Sequence, residues 1–144
     1  MKKCKIHMLL MALLVISGCE HNPIDKQEAD NIVTRYVKKN YTSNDNIQRA
    51  VWYLNRLEEE RIELFFGMDG EENIVTENAF VYYIDENCYI GDNIPHSYRI
   101  IIVQKKDGKY TLHERHTSPG VVSSPWENDW MLLFFFENNQ IQHP

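Results

Sequence analysis

"SYRIIIVQKKDGKYTLHER", residues Ser97 to Arg115, settles what kind of fold this chain can form. "SYRIIIVQ" and "KYTLHER" are rich in β-branched and aromatic residues, and "KDG" lies between them. An Asp-Gly pair between two such runs marks a β-hairpin, because the tight turn needs residues that tolerate positive φ. The spacing therefore predicts two antiparallel strands that turn at Asp107-Gly108.

Upstream, "NAFVYYID" at 78–85 reads as another strand, with "CYIG" as a short continuation. Farther back, Ile62, Leu64 and Phe66 alternate with Arg61, Glu63 and Phe65, again the period of a strand. "GMDG" at 67–70 reads as a turn. The segment from Asp45 to Glu60 is ambiguous. Ile47, Ala50, Val51, Leu54 and Leu57 fall on one helical face, which predicts a second helix, while "AVWYL" suits the start of a long strand. The helix is the favoured reading.

"DKQEADNIVTRYVKKN" predicts the first helix. Asp25 is a suitable N-cap and Glu28 completes a capping box three residues later. Ala29, Ile32, Val33, Tyr36 and Val37 recur at helical spacing, and Lys38 and Lys39 suit the negative end of the helix dipole. Downstream of the hairpin, "TSPGVVSSP" reads as a loop, "WMLLFFF" at 130–136 as a buried central strand, and "ENNQIQHP" as a polar tail. One or two N-terminal helices on a four- to five-stranded, mainly antiparallel sheet make an α+β domain over residues 25–144. Its element order is loosely similar to cystatin-like and NTF2-like architectures, a likeness that carries no function.

The start of the chain has a different character. Lys2, Lys3 and Lys5 precede the apolar run Met8–Ile16. Nine residues span roughly 13 Å as a helix, against the ~30 Å of a hydrocarbon core, so the pattern suits a signal peptide and not a membrane span. Ile16-Ser17-Gly18-Cys19 then resembles the lipobox of bacterial lipoproteins. That resemblance covers residues 1–19 only. It implies a cleaved signal over 1–18, a diacylglyceryl group on Cys19 as the link to the bilayer, and a short tether over 19–24. Glu20, where inner-membrane lipoproteins carry Asp, implies outer-membrane sorting, with the domain in the periplasm.

The whole chain carries 15 basic and 21 acidic residues, a net charge of −6. Without Lys2, Lys3 and Lys5 the balance is 12 against 21, or −9. Nucleic acid and anionic surfaces should repel such a chain, while a basic protein partner suits it. After loss of Cys4 with the signal and lipidation of Cys19, Cys88 is left alone, so no intramolecular disulfide is expected. It reads as a buried apolar thiol, with a reactive thiol as the other reading.

No motif points to catalysis or to a cofactor. "HERH" pairs His113 with His116, but an i, i+3 spacing in a strand sends the rings to opposite faces, so no metal site is expected. His96 in "IPHS" reads as a loop histidine, and a Cys88–His96 dyad has no support in spacing. Asp69, Glu71, Glu72 and Glu77 cluster near a turn without EF-hand spacing. They read as an acidic turn that could steer a basic partner. "SSPWENDW" places Trp126 and Trp130 on one face of a short helical turn, either as closure of the core or as anchors for a partner. Three functions remain open: a binding lipoprotein such as an immunity or inhibitor protein, an envelope assembly or accessory lipoprotein, and a small-ligand or glycan module. A non-enzymatic role is expected.

Overall fold

The computed structural model describes residues 22–41, 47–56, 61–66, 72–90, 94–117 and 129–144. Helix α1 spans Lys26–Asn40 and is the only helix among them. Asp25 caps it, its Oδ1 accepting from the Glu28 backbone N–H at 2.8 Å. The C-terminal end closes through the Tyr41 N–H on the Val37 carbonyl. Ala29, Val33, Tyr36 and Val37 are buried, the face that the 3.6-residue period marks out. None of the described helices is long and apolar enough to cross a membrane.

Eight strands follow among the described residues: β1 Arg49–Leu54, β2 Arg61–Phe66, β3 Glu72–Glu77, β4 Ala79–Asp85, β5 His96–Gln104, β6 Tyr110–Thr117, β7 Trp130–Glu137 and β8 Gln140–Gln142. Six form one antiparallel sheet in the order β6-β5-β4-β1-β7-β8. The other two, β2 and β3, form a separate ribbon. The fold is α+β, with a larger sheet than expected and a single described helix.

The central strands of the sheet are buried on both faces. Phe80, Tyr82 and Ile84 of β4, Ile101 and Val103 of β5, and Phe134 and Phe136 of β7 pack with α1. Alternate residues point the other way. Ala79 and Val81, then Tyr98, Ile100 and Ile102, pack with Ile62 and Leu64 of the ribbon. Helix, sheet and ribbon thus make three layers around two apolar cores, and period 2 in β4 and β5 assigns each side chain to one of them.

This layering explains why residues 45–60 mislead at the level of sequence. The expected second helix is instead strand β1, near the middle of the sheet, hydrogen-bonded to β4 and β7. A strand covered on both faces carries apolar residues on both, so alternation disappears and helical spacing can arise by chance. Between Val51 and Trp52 the pairing with β7 shifts, with Phe134 and Leu132 as partners and Leu133 as the extra residue. Residues 45, 46 and 57–60 lie outside the described part.

Three smaller corrections have local causes. "CYIG" is not a strand continuation, since Ile90 N–H bonds the Asn87 carbonyl and makes a turn. Glu72 and Glu77 belong to strand β3, not to an acidic turn. The polar tail contains β8, because Asn138 and Asn139 sit at φ 49° and 64° between Glu137 and its partner Gln140. Two consecutive residues at positive φ are what a two-residue type I′ hairpin needs, and asparagine tolerates them.

The Asp107-Gly108 hairpin forms as expected. Gly108 has φ 68°, and a Cβ there would stand 3.1 Å from Ile32 Cδ1 of α1. The positive φ of the turn favours glycine, and a Cβ would in addition make the Ile32 side chain give way by a few tenths of an ångström.

Candidate functional site

The densest polar cluster among the described residues lies where the end of α1 meets β4, β5 and β6. Arg99 takes an inward position in β5 on the helix side. Its Nε lies 2.7 Å from Glu86 Oε1 and 3.1 Å from Glu114 Oε1. Its Nη1 donates to the Tyr36 hydroxyl at 2.9 Å, and the Tyr41 hydroxyl donates to Glu86 at 2.7 Å. The guanidinium groups of Arg49 and Arg99 stand 4.5 and 5.2 Å from the Tyr41 ring centroid, within cation–π reach. Burial raises the Tyr41 phenol far above its ordinary value, reinforced by the Glu86 carboxylate; burial raises Tyr36 as well. Both phenols therefore stay protonated near neutral pH and act as hydrogen-bonding groups, not as bases.

Beside the cluster, Glu86, Ser97, Tyr98, Arg99, Glu114, Arg115 and His116 line an open recess of about 220 Å³. Two guanidinium groups and two carboxylates balance there, so its walls hold no surplus charge to attract an ion. The chemistry suits a clamp that fastens α1 to the sheet. A wider groove of about 550 Å³ runs between α1 and the β5–β6 hairpin, lined by Ile32, Arg35, Tyr36, Lys39, Asp107 and Tyr110 among others.

His96 is not a loop residue. It opens β5, is 4% exposed, and faces Asp85, itself 6% exposed. Its Nε2 lies 3.1 Å from Asp85 Oδ1 and its Nδ1 lies 2.8 Å from the Ile94 carbonyl. With both ring nitrogens engaged, none is left for a metal or a substrate. Cys88 is half-buried, and its thiol donates toward the Gln48 carbonyl at 3.2 Å. Burial, aided by the Asp85 charge, raises its pKa and disfavours the thiolate. His113 faces Ile100 across the ladder while His116 faces Ser97, the opposite sides of the sheet that the strand period requires. Among the described residues, no three His, Cys, Asp or Glu side chains converge on a point that could hold a metal.

Of the residues singled out in the sequence, Cys19, Asp69, Glu71 and Trp126 lie outside the described part. Glu72 opens β3 at the end of the ribbon. Trp130 opens β7, half-buried, with its ring 6.0 Å from that of Tyr83 and packed on the core under the ribbon. Its indole Nε1 is buried with no hydrogen-bond partner among the described residues. Sequence reasoning missed the Arg99 cluster. Its one local signal is an arginine at an inward position of the apolar run "SYRIIIV". Compared with protein-family models, curated proteins and solved structures, the chain matches none.

Proposed function

We propose that the chain is a lipid-anchored envelope protein whose domain binds and neutralises another protein, in the manner of an immunity or inhibitor protein. The lipobox-like Ile16-Ser17-Gly18-Cys19 gives the address, and Glu20 points to the outer membrane. The observation that carries the binding role is the acidic surplus of nine charges from Cys19 onward, which a basic protein would complement. Asp69, Glu71 and Glu72, which follow one another closely in the sequence up to the start of β3, are the candidate partner-facing acids, and Trp126 and Trp130 the candidate anchors. The engagement of His96, Cys88, Tyr36 and Tyr41 in internal contacts supports binding over catalysis.

The test is affinity capture from envelope extracts with the intact protein, followed by binding measurements at rising salt. A basic partner whose affinity falls as salt rises supports the reading, and retention of that affinity at high salt removes its electrostatic basis. Cys19→Ser should leave uncleaved precursor. The groove between α1 and the β5–β6 hairpin favours a second reading, a small-ligand or glycan module. Recovery of a sugar or other small molecule in place of a protein would select it.

A further inference from the structure

From Cys19 onward the chain has six lysines, Lys26, Lys38, Lys39, Lys105, Lys106 and Lys109, and all six lie in α1 or in the turn between β5 and β6. The turn is joined directly to the start of the helix. The Ile24 N–H bonds the Lys105 carbonyl at 2.7 Å, and Gly108 packs against Ile24 and Ile32. One groove has Arg35 and Lys39 of the helix together with Asp107 and Gly108 of the turn along its walls. These elements therefore form one surface.

Charge on this surface is opposite to that of the rest. With Arg35, it holds seven cations against four acids, Asp25, Glu28, Asp30 and Asp107. The remaining chain from Cys19 has five cations, all arginine, against seventeen acids. Several of those arginines are bound to carboxylates, as in Arg56–Asp129, Arg61–Glu63 and Arg99–Glu86. Lys38, Lys39 and Lys106 are exposed, and so is Lys109, whose Nζ lies 3.0 Å from Asp107 Oδ2 within the same turn. The helix dipole accounts for Lys38 and Lys39 at the end of α1, but it gives no reason for three lysines in the five-residue turn 105–109.

The position of the turn supplies one. Cys19 and Ile24 are five Cα–Cα steps apart, a reach of at most roughly 18 Å when fully extended. Any anchor at Cys19 holds Ile24 within that distance of the bilayer, and with it the lysine turn bonded to Ile24. We propose that the α1 and β5–β6 face is a membrane-docking surface that lies against anionic phospholipid headgroups and turns the acidic ribbon side outward. The inference rests on the Cys19 anchor of the proposed function, and it revises the expectation that anionic surfaces simply repel the chain. Net charge sets the long-range repulsion, but within a Debye length of about 8 Å the local face decides. Each lysine near an anionic surface is worth about 1 kcal/mol, roughly fivefold in population.

The test fixes the anchor chemically, so that it does not depend on processing in the cell. All elements and both cores lie within residues 24–142. Residues 19–144 carrying Cys88→Ser are coupled through the Cys19 thiol to a maleimide lipid. The lipid is held in vesicles of phosphatidylcholine, or of phosphatidylcholine and phosphatidylglycerol in equal parts. Acetylation of the lysines with an activated ester is followed by mass spectrometry. On the anionic vesicles, Lys38, Lys39, Lys106 and Lys109 should react several-fold more slowly than on the neutral ones, with recovery at high salt. Carbodiimide labelling of Glu63 and Glu77 should be equal on both. Lys105→Gln, Lys106→Gln and Lys109→Gln combined should abolish the protection of Lys38 and Lys39. Equal lysine rates on the two vesicle types, or protection of Glu63 and Glu77 instead, would overturn the proposal. The intact mass of the chain made in cells tests acylation of Cys19 separately.

Discussion

Replacing Arg99 with Met tests whether the cluster at the end of α1 is a clamp. The substitution keeps the bulk of the stem but removes the guanidinium that serves Glu86, Glu114 and Tyr36. Glu86 then keeps the Tyr41 hydroxyl as a partner but loses its cation while its side chain is only 18% exposed. Breaking a fully buried pair costs about 3–5 kcal/mol. Partial exposure here reduces that to roughly 2–3 kcal/mol, and the Glu114 contact adds little because that side chain is 61% exposed. For a domain of this size the melting temperature should fall by roughly 6–12 °C. The informative measurement is a double-mutant cycle in urea with Glu86→Gln. Once Arg99 is gone, neutralising Glu86 should restore about 1 kcal/mol or more, since it removes an uncompensated charge. If Arg99→Met and Glu86→Gln were additive, or if Arg99→Met melted like the parent, the clamp would be decorative and α1 would be held by its other contacts, chiefly the apolar face of Ala29, Val33, Tyr36 and Val37.

Other expectations follow from single features. Burial raises Tyr41 and Tyr82 above the ordinary phenol value of 10, so above that pH the unfolded chain releases protons that the folded one retains. Stability is then fully present below pH 10 and should fall above it, by up to about 2.7 kcal/mol per pH unit for two such groups, and tyrosinate absorbance should rise only with unfolding for these two. Gly108→Ala should destabilise by about 1–2 kcal/mol in thermal melts, from the φ of 68° and the approach to Ile32; an unchanged melt would mean that the turn relaxes freely. Asn139→Gly, at φ 64° in the β7–β8 turn, should be neutral or stabilise by up to about 1 kcal/mol in the same assay, whereas Asn139→Val should destabilise.

The parts of this fold that could be read from sequence are those whose determinants lie close together in the chain. Asp25, Glu28 and five apolar residues define α1 within thirteen positions, and Asp107-Gly108 defines its hairpin within a dozen. Strand β1 could not be read this way, because its assignment depends on α1 and the ribbon covering its two faces. Strand β8 was hidden by two asparagines whose conformation leaves no hydrophobic pattern. Within the candidate site, Arg99 and Tyr36 stand 63 positions apart, and Tyr41 and Glu86 stand 45 apart. Only the tertiary fold brings them together. Trp130 stands out in the sequence through its spacing from Trp126, but it opens strand β7, and its packing against Tyr83 depends on a β1–β7 register that no local pattern shows.

The strand order also sets when the domain can fold. Strand β1 is among the first elements to emerge from a ribosome or a translocation pore, yet one of its two neighbours is β7, with Arg49 opposite Phe136. Until residues 130–137 have emerged, one edge of β1 has no ladder, and the core beneath α1 lacks Phe134 and Phe136. Contacts of such long range are slow to form because the intervening loop must first be closed. A chain threaded amino end first would therefore remain largely unfolded during transit and complete its sheet only at the end. If the chain is exported as proposed above, that delay suits it, because the topology opposes folding before the last strands have crossed.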